Sequence, residues 1–326
     1  MAARTHRGRG AVLRCRTALE ERRVRKAQQA PSESPAEPPT AALDPAVITG
    51  SSGSTFLSGF TCLDTARREA MTVIYAFCRV VDDAVDDAPD RATATAWLGF
   101  WRCELDAVEN GEPRTPVGRA LQRAMRTFGI PALRLQELID GCAMDLEPAV
   151  FVDEAQLVLY CHRVAAAVGL ACLPVLGATG PAAEQYAEAL GHALQLTNVL
   201  RDLRGDAEIG RCYVPRTWLD EFGIADADLG GRGTPGLYLP AGGVARLCSR
   251  LAGKARTRFG EARTLLRSLP RRQRRALVAA RVMGAVYADL LRRLERRGGD
   301  LLQPRPRVPK WRKLWLAGLV WAGARA

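Results

Sequence analysis

The segment LDTARREAMTVIYAFCRVVDDAVDD, running from Leu63 to Asp87, decides the fold class. Its apolar residues return every three or four positions, the period of an α-helix with one face turned inward, and no period-two alternation competes. The apolar run ends on Asp82-Asp83 and Asp86-Asp87. At 3.6 residues per turn, Asp82 and Asp86 stand one above the other on a single face, where like charges repel. A cation held between them relieves that repulsion. Mg²⁺ suits the position, because it retains waters and bridges carboxylates to substrate phosphates.

The same helical spacing continues on either side. It is found in VGRALQRAMRTFG, PALRLQELIDGCAMDL, EAQLVLYCHRVAAAVGLACLPVLG and AEQYAEALGHALQLTNVLRDL, punctuated by Gly111, Pro113, Pro131, Gly177 and Gly180-Pro181. Several of these helices are apolar on most faces, which implies central helices surrounded by others. The reading is all-α and single-domain.

A second carboxylate stripe lies in QLTNVLRDLRGD. Gln195, Asn198, Asp202 and Asp206 fall at i, i+3, i+7 and i+11, one continuous face provided the helix survives Gly205. Asp202 and Asp206 repeat the arrangement of Asp82 and Asp86, Asn198 adds a neutral oxygen, and Arg201 sits beside the stripe. The surrounding segment is apolar, so Gln195 and Asn198 need partners inside a cavity. One DxxxD on a helix is usually a solvated face. Two, each closing a long apolar helix, point to metal-assisted capture of a diphosphate between them. A di-iron bundle would need Glu and ExxH signatures, which these segments lack.

The chain has 326 residues, 48% apolar and 25% charged, enough for a sizeable core. The net charge of +12 favours anionic partners, whether phosphorylated substrates, an acidic membrane or nucleic acid. Nine scattered Cys without a CxxC pair read as reduced, buried thiols in a cytoplasmic setting. No stretch approaches about 18 uninterrupted apolar residues, so no transmembrane helix is expected. The N-terminus has Arg residues but no apolar run of the secretory kind.

Residues 1–49 read as a basic, Pro-rich extension without order, 50–303 as the helical domain, and 304–326 as a basic amphipathic tail. The loop GGRGTPGLYLPAGG at 230–243 precedes a basic region. Between Arg246 and Arg297 there are 16 basic and 3 acidic residues, including RRQRR at 271–275, which reads as a solvated helix face. In the tail, Trp311, Trp315 and Trp321 flank a short apolar patch beside Lys310, Arg312 and Lys313. It is too short to span a bilayer and suited to lie at an anionic interface, or to pack as a terminal helix.

With both carboxylate sites in place, the sequence resembles the squalene and phytoene synthase family, enzymes that join two prenyl diphosphates head to head. The resemblance runs from about Ser52 to Tyr287. It rests on STF at 54–56, YAFCRVVDD at 75–83, DGCAMDLE at 140–147, YCHRVAAAVG at 160–169, and ALQLTNVLRD through GRCYVP at 193–215. It implies an isoprenoid synthase-type helical bundle with a central active-site cavity. By that similarity Asp82, Asp86, Asn198, Asp202 and Asp206 hold two or three Mg²⁺ ions. Arg79 and Arg201 bind diphosphate, and Gln195 completes the second site. Tyr75, Tyr160 and Tyr287 surround the reacting carbons, while Phe56, Val164 and Gly169 line the prenyl pocket. Arg204 and Gly205 depart from relatives that carry an acidic residue there.

Within the family, DGCAMDLE and the tail are most similar to members that condense two farnesyl diphosphates to presqualene diphosphate and stop, in hopanoid biosynthesis. Phytoene synthesis from geranylgeranyl diphosphate is the alternative, and full squalene synthesis would also need NADPH, which is not expected. The expected partners are prenyl diphosphates and, through 308–326, a membrane surface. Two other classes stay open: a terpene cyclase acting on one chain, and a basic nucleic-acid binder with 246–297 as its footprint, for which no recognised motif is present.

Overall fold

The computed structural model describes residues 37–50, 63–146, 151–239, 241–301 and 303–323. Thirteen α-helices and no strand occur among them. They are α1 (Pro45–Gly50), α2 (Thr65–Asp86), α3 (Arg91–Asn110), α4 (Pro116–Phe128), α5 (Ala132–Ala143), α6 (Glu154–Cys161), α7 (Ala167–Leu176), α8 (Pro181–Glu208), α9 (Arg216–Phe222), α10 (Gly243–Ser268), α11 (Arg271–Ala276), α12 (Val278–Arg297) and α13 (Lys310–Trp321).

Local chemistry sets the helix starts. The side chains of Asp64, Asp90, Thr115 and Asp153 each accept a hydrogen bond from a backbone N–H three residues on, at 2.8–3.1 Å. Such caps contribute about 1 kcal/mol apiece. Gly111, Gly129, Gly177 and Gly223 end α3, α4, α7 and α9 in the left-handed conformation that costs glycine least.

Two hydrophobic cores flank the centre. One joins α2, α3, α4, α5, α7 and the first half of α8; the other joins α6, the second half of α8, α9, α10, α12 and α13. The 28-residue α8 threads both. Between α6 and α7 the helix widens into a π-turn at His162–Ala166. This turn is gripped from two sides at glycines. A Cβ on Gly191 would lie 2.5 Å from the Cα of Ala166, and one on Gly141 would lie 2.8 Å from Val164 Cγ1. Only glycine permits those approaches.

Two expectations change. Folded structure begins before residue 50: a 3-10 turn at Pro39–Ala42 and α1 place Ala41 and Ile48 in the core against α2 and α4. Residues 1–36 lie outside the described residues. The tail is not separate from the domain, because Leu316 and Val320 of α13 are buried. Glu154–Leu176 is, by length and composition alone, apolar enough to cross a membrane. Half of it is buried inside the protein, against α5, α8 and α2, as a core helix.

Candidate active site

The last turns of α2 carry the first acidic cluster. Arg79 pairs with Asp82 at 2.9 Å and with Asp83 at 2.5 Å. Tyr75 lies one turn earlier on the same helix, near Arg79. Asp82 presents a half-exposed surface in a mouth crowded with protein atoms. Loss of bulk hydration, then the charge of Asp86, push its carboxyl up to about 7, against the pull of Arg79. Asp83 is pushed up to about 6, chiefly by burial.

Because α8 continues past Gly205 to Glu208, the second stripe stays on one face. Arg201 clasps Asp202 at 2.6 Å, and Arg305, from the segment joining α12 to α13, reaches the other oxygen of Asp202 at 2.5 Å. Tyr287 of α12 hydrogen-bonds Arg201. Asp206 is pushed up to about 7, by burial first and by Asp202 second. Asn198 donates to Gln195 Oε1 at 3.2 Å, while its own Oδ1 is buried without a partner. Arg204 turns to Glu208 at 2.9 Å.

Residues between the two helices close the arrangement. Asp145, in a 3-10 turn after α5, adds negative field at both Asp82 and Asp206, and its Oδ1 is also buried and unpartnered. Burial pushes Asp145 up to about 6, although Tyr213 and Tyr160 donate to it. The Tyr160 and Tyr213 rings stack at 4.7 Å, so burial and the neighbouring carboxyl keep both phenols protonated. Arg211 donates to Asp86 at 2.7 Å, and its backbone N–H donates to the Asp206 carbonyl at 2.8 Å.

Beneath the carboxylates a cavity of about 210 Å³ runs between the two cores. Gln195, Asn198 and Tyr287 line its acidic end, Val164 and Gly169 its side, and Tyr186 and Leu277 its far end. From Asn198 to Tyr186 is about 18 Å at 1.5 Å per residue. Its walls are otherwise Leu, Val, Ala and Met, with Cys172 and Gly191. Phe56 lies outside the described residues.

The donors suit a hard cation: carboxylate oxygens from two helices, and the orphaned oxygens of Asn198 and Asp145 that lack hydrogen-bond donors. Among the described residues no three acidic, His or Cys side chains converge tightly enough to hold an ion by themselves.

Of the residues expected from the sequence, Gln195, Asn198, Tyr287, Val164 and Gly169 line this cavity, and Arg201, Asp202 and Asp206 line a second pocket of about 580 Å³ with Arg305. Tyr75, Arg79, Asp82 and Asp86 line neither; Asp145 and the Arg211–Asp86 ion pair connect them to the second cluster, and Tyr160 stands behind Asp145. Asp145, Arg211, Tyr213 and Arg305 had not been singled out. The first three sit in DGCAMDLE and GRCYVP, which marked the resemblance, but a short turn and a coil have no periodicity to show where a side chain points.

An all-α fold with paired acidic and basic clusters above a greasy cavity defines a prenyltransferase of the isoprenoid synthase type. The sequence profile described as squalene/phytoene synthase matches residues 49–312, and the chain belongs to that family. It is 39% identical to a presqualene diphosphate synthase of Zymomonas mobilis over 85% of this chain and 90% of that one. It is 34% identical to a phytoene synthase of Mycobacterium tuberculosis, covering 83% and 85%. Among solved structures, a dehydrosqualene synthase in complex with ligand superposes with a TM-score of 0.71 at 25% identity, covering 86% of this chain and 95% of that one. A squalene synthase of Alicyclobacillus acidocaldarius gives 0.65 at 30%, covering 77% and 91%.

Proposed function

We propose that this protein condenses two farnesyl diphosphates head to head to presqualene diphosphate, releasing one diphosphate. The observation that carries this reading is the pair of acid–arginine clusters on α2 and α8, tied together through Arg211, with Gln195 and Asn198 of the same α8 stripe lining an apolar cavity. Relatives named presqualene diphosphate synthase, 36–39% identical to this chain, support the product.

Asp82 and Asp86 on one side, and Asn198, Asp202 and Asp206 on the other, are the proposed ligands of two or three Mg²⁺ ions. Bound there, Mg²⁺ supplies Lewis-acid neutralisation of the departing diphosphate. Arg79, Arg201, Arg211 and Arg305, paired here with carboxylates, would offer their guanidinium N–H groups to diphosphate oxygens. The C1–O bond of one substrate breaks and its allylic carbon bonds to the double bond of the other. The coupled cation sheds a proton as the cyclopropane closes. Tyr160, buried and donating to Asp145, acts as a hydrogen-bond donor, and the expelled diphosphate is the proposed base. Tyr75 and Tyr287 present aromatic faces to the cation, and the apolar walls exclude water.

NADPH has no part in this reaction. Phytoene synthesis is the second reading, favoured by the 34%-identical relatives. The protein is proposed to be cytoplasmic, with peripheral membrane contact through 308–326. Nucleic acid is not a proposed partner: Arg250, Arg256, Arg258, Arg292 and Arg293 of the basic region are each paired with an acidic side chain.

Incubation with farnesyl and then geranylgeranyl diphosphate, with Mg²⁺ and without NADPH, followed by mass spectrometry, separates the readings. Presqualene diphosphate is expected; phytoene, a cyclic terpene or no turnover would replace the proposal.

A further inference from the structure

Two features that the sequence leaves apart meet in the structure. In α13, Trp311, Leu314, Trp315 and Trp321 are 66%, 73%, 47% and 72% exposed, although Leu316 and Val320 on the opposite side are buried. The exposed residues lie at i, i+3, i+4 and i+10, one stripe along the helix. A helix that packs one apolar face and leaves a second, Trp-rich face open is poorly suited to water.

Its placement is firm. Asp289 of α12, 2% exposed, accepts from Arg312 at 3.1 Å, and the Arg312 guanidinium lies 4.3 Å over the Trp315 ring. At the other end of α13, Arg281 joins three elements. Its guanidinium donates to the carbonyl of Arg274 in α11 at 3.1 Å and to the carbonyl of Val320 in α13 at 3.4 Å. The RRQRR helix therefore sits beside the Trp helix, with Arg271, Arg272 and Arg275 exposed. No Asp or Glu occurs between 262 and 288, or after 300.

We propose that α11 and α13 form one composite surface that docks on an anionic lipid bilayer, with the Trp stripe at headgroup depth and the arginines over the lipid charge. This deepens the membrane contact of the proposed function, and rests on that reading only for its biological sense. Charge selects the occupant: a second copy would set this uniformly basic face against itself, whereas acidic headgroups complement it. Leu277, directly after α11, also lines the far end of the cavity, so the docking surface and the prenyl pocket share a wall.

The test uses the full chain without substrate, sedimented with vesicles of phosphatidylcholine alone or mixed with phosphatidylglycerol. Expected is binding to the anionic vesicles that weakens with salt, with a blue shift of Trp emission. R271Q/R272Q/R275Q should lose about 100-fold in partition, each charge near the surface counting for about fivefold. W311S/L314S/W321S should lose binding to a similar degree, and all these side chains are exposed, so folding and turnover of detergent-dispersed substrate stay unchanged. Absence of vesicle binding, equal binding to neutral and anionic vesicles, or a dimer that dissociates in the Trp variant would overturn the proposal. Since binding is read without substrate, failure of the catalytic reading would show separately, as normal docking with no condensation product.

Discussion

Arg211 and Asp86, 125 positions apart in the chain, meet at 2.7 Å. The same arginine hangs from the Asp206 carbonyl through its backbone N–H. One residue thus ties the side chain of the first acidic cluster to the backbone of the second. The clusters are held at a set distance before any substrate arrives, which is the preorganisation that charge stabilisation requires.

Arg211→Gln should therefore lower kcat/KM by about 10²–10³-fold, the range for loss of a preorganised charge donor, while the folded content by circular dichroism stays normal. Wild-type turnover in this variant would make the ion pair a structural ornament.

Asp82→Asn and Asp202→Asn should each remove at least about 10³-fold of turnover. Each should also diminish the rise in Tm produced by Mg²⁺ with inorganic diphosphate. Near-normal activity in both variants would break the metal assignment.

The acidic side chains also set a pH dependence. Asp82 and Asp206 at about 7, and Asp83 and Asp145 at about 6, are raised from 3.8. Between 3.8 and those values the folded protein binds more protons than the unfolded chain. Their stabilising contribution is thus full below 3.8 and lost as pH rises through 6–7. Without metal, Asp206→Asn should be the more stable protein at pH 8, by a few degrees of Tm, and the advantage should shrink by pH 5. Mg²⁺ with diphosphate should raise the wild-type Tm more at pH 8 than at pH 6. An Asp206→Asn effect independent of pH would contradict the burial of that carboxyl.

Gly191→Ala should cost about 2–3 kcal/mol in denaturant unfolding, because the new methyl meets backbone rather than a yielding side chain. Gly205→Ala, where a Cβ meets nothing within 4 Å, should be neutral or slightly stabilising. Equal effects at the two glycines would mean that α8 can slide away from the π-turn.

Much of the fold and half of the site were legible in the chain. Asp82 and Asp86, or Asn198, Asp202 and Asp206, belong to single helices, and a helix converts spacing into a shared face without help from elsewhere. The composition at 39–50 is that of a linker; Ala41, Ile48 and Thr49, buried against helices distant in sequence, order it. Asp145, Arg211 and Tyr213 lie in recognisable motifs, but nothing local directs a side chain on a short turn or a coil.

By itself the sequence determined the helices, their caps and the two acidic stripes, because hydrogen bonding and periodicity act over a few residues. Only the tertiary structure decided that Arg211 and Arg305 reach the opposing carboxylates, that Asp145 lies between both clusters, and that RRQRR stands beside the Trp helix. Those relationships depend on which helix packs against which, a matter of complementary buried surfaces that no local spacing encodes.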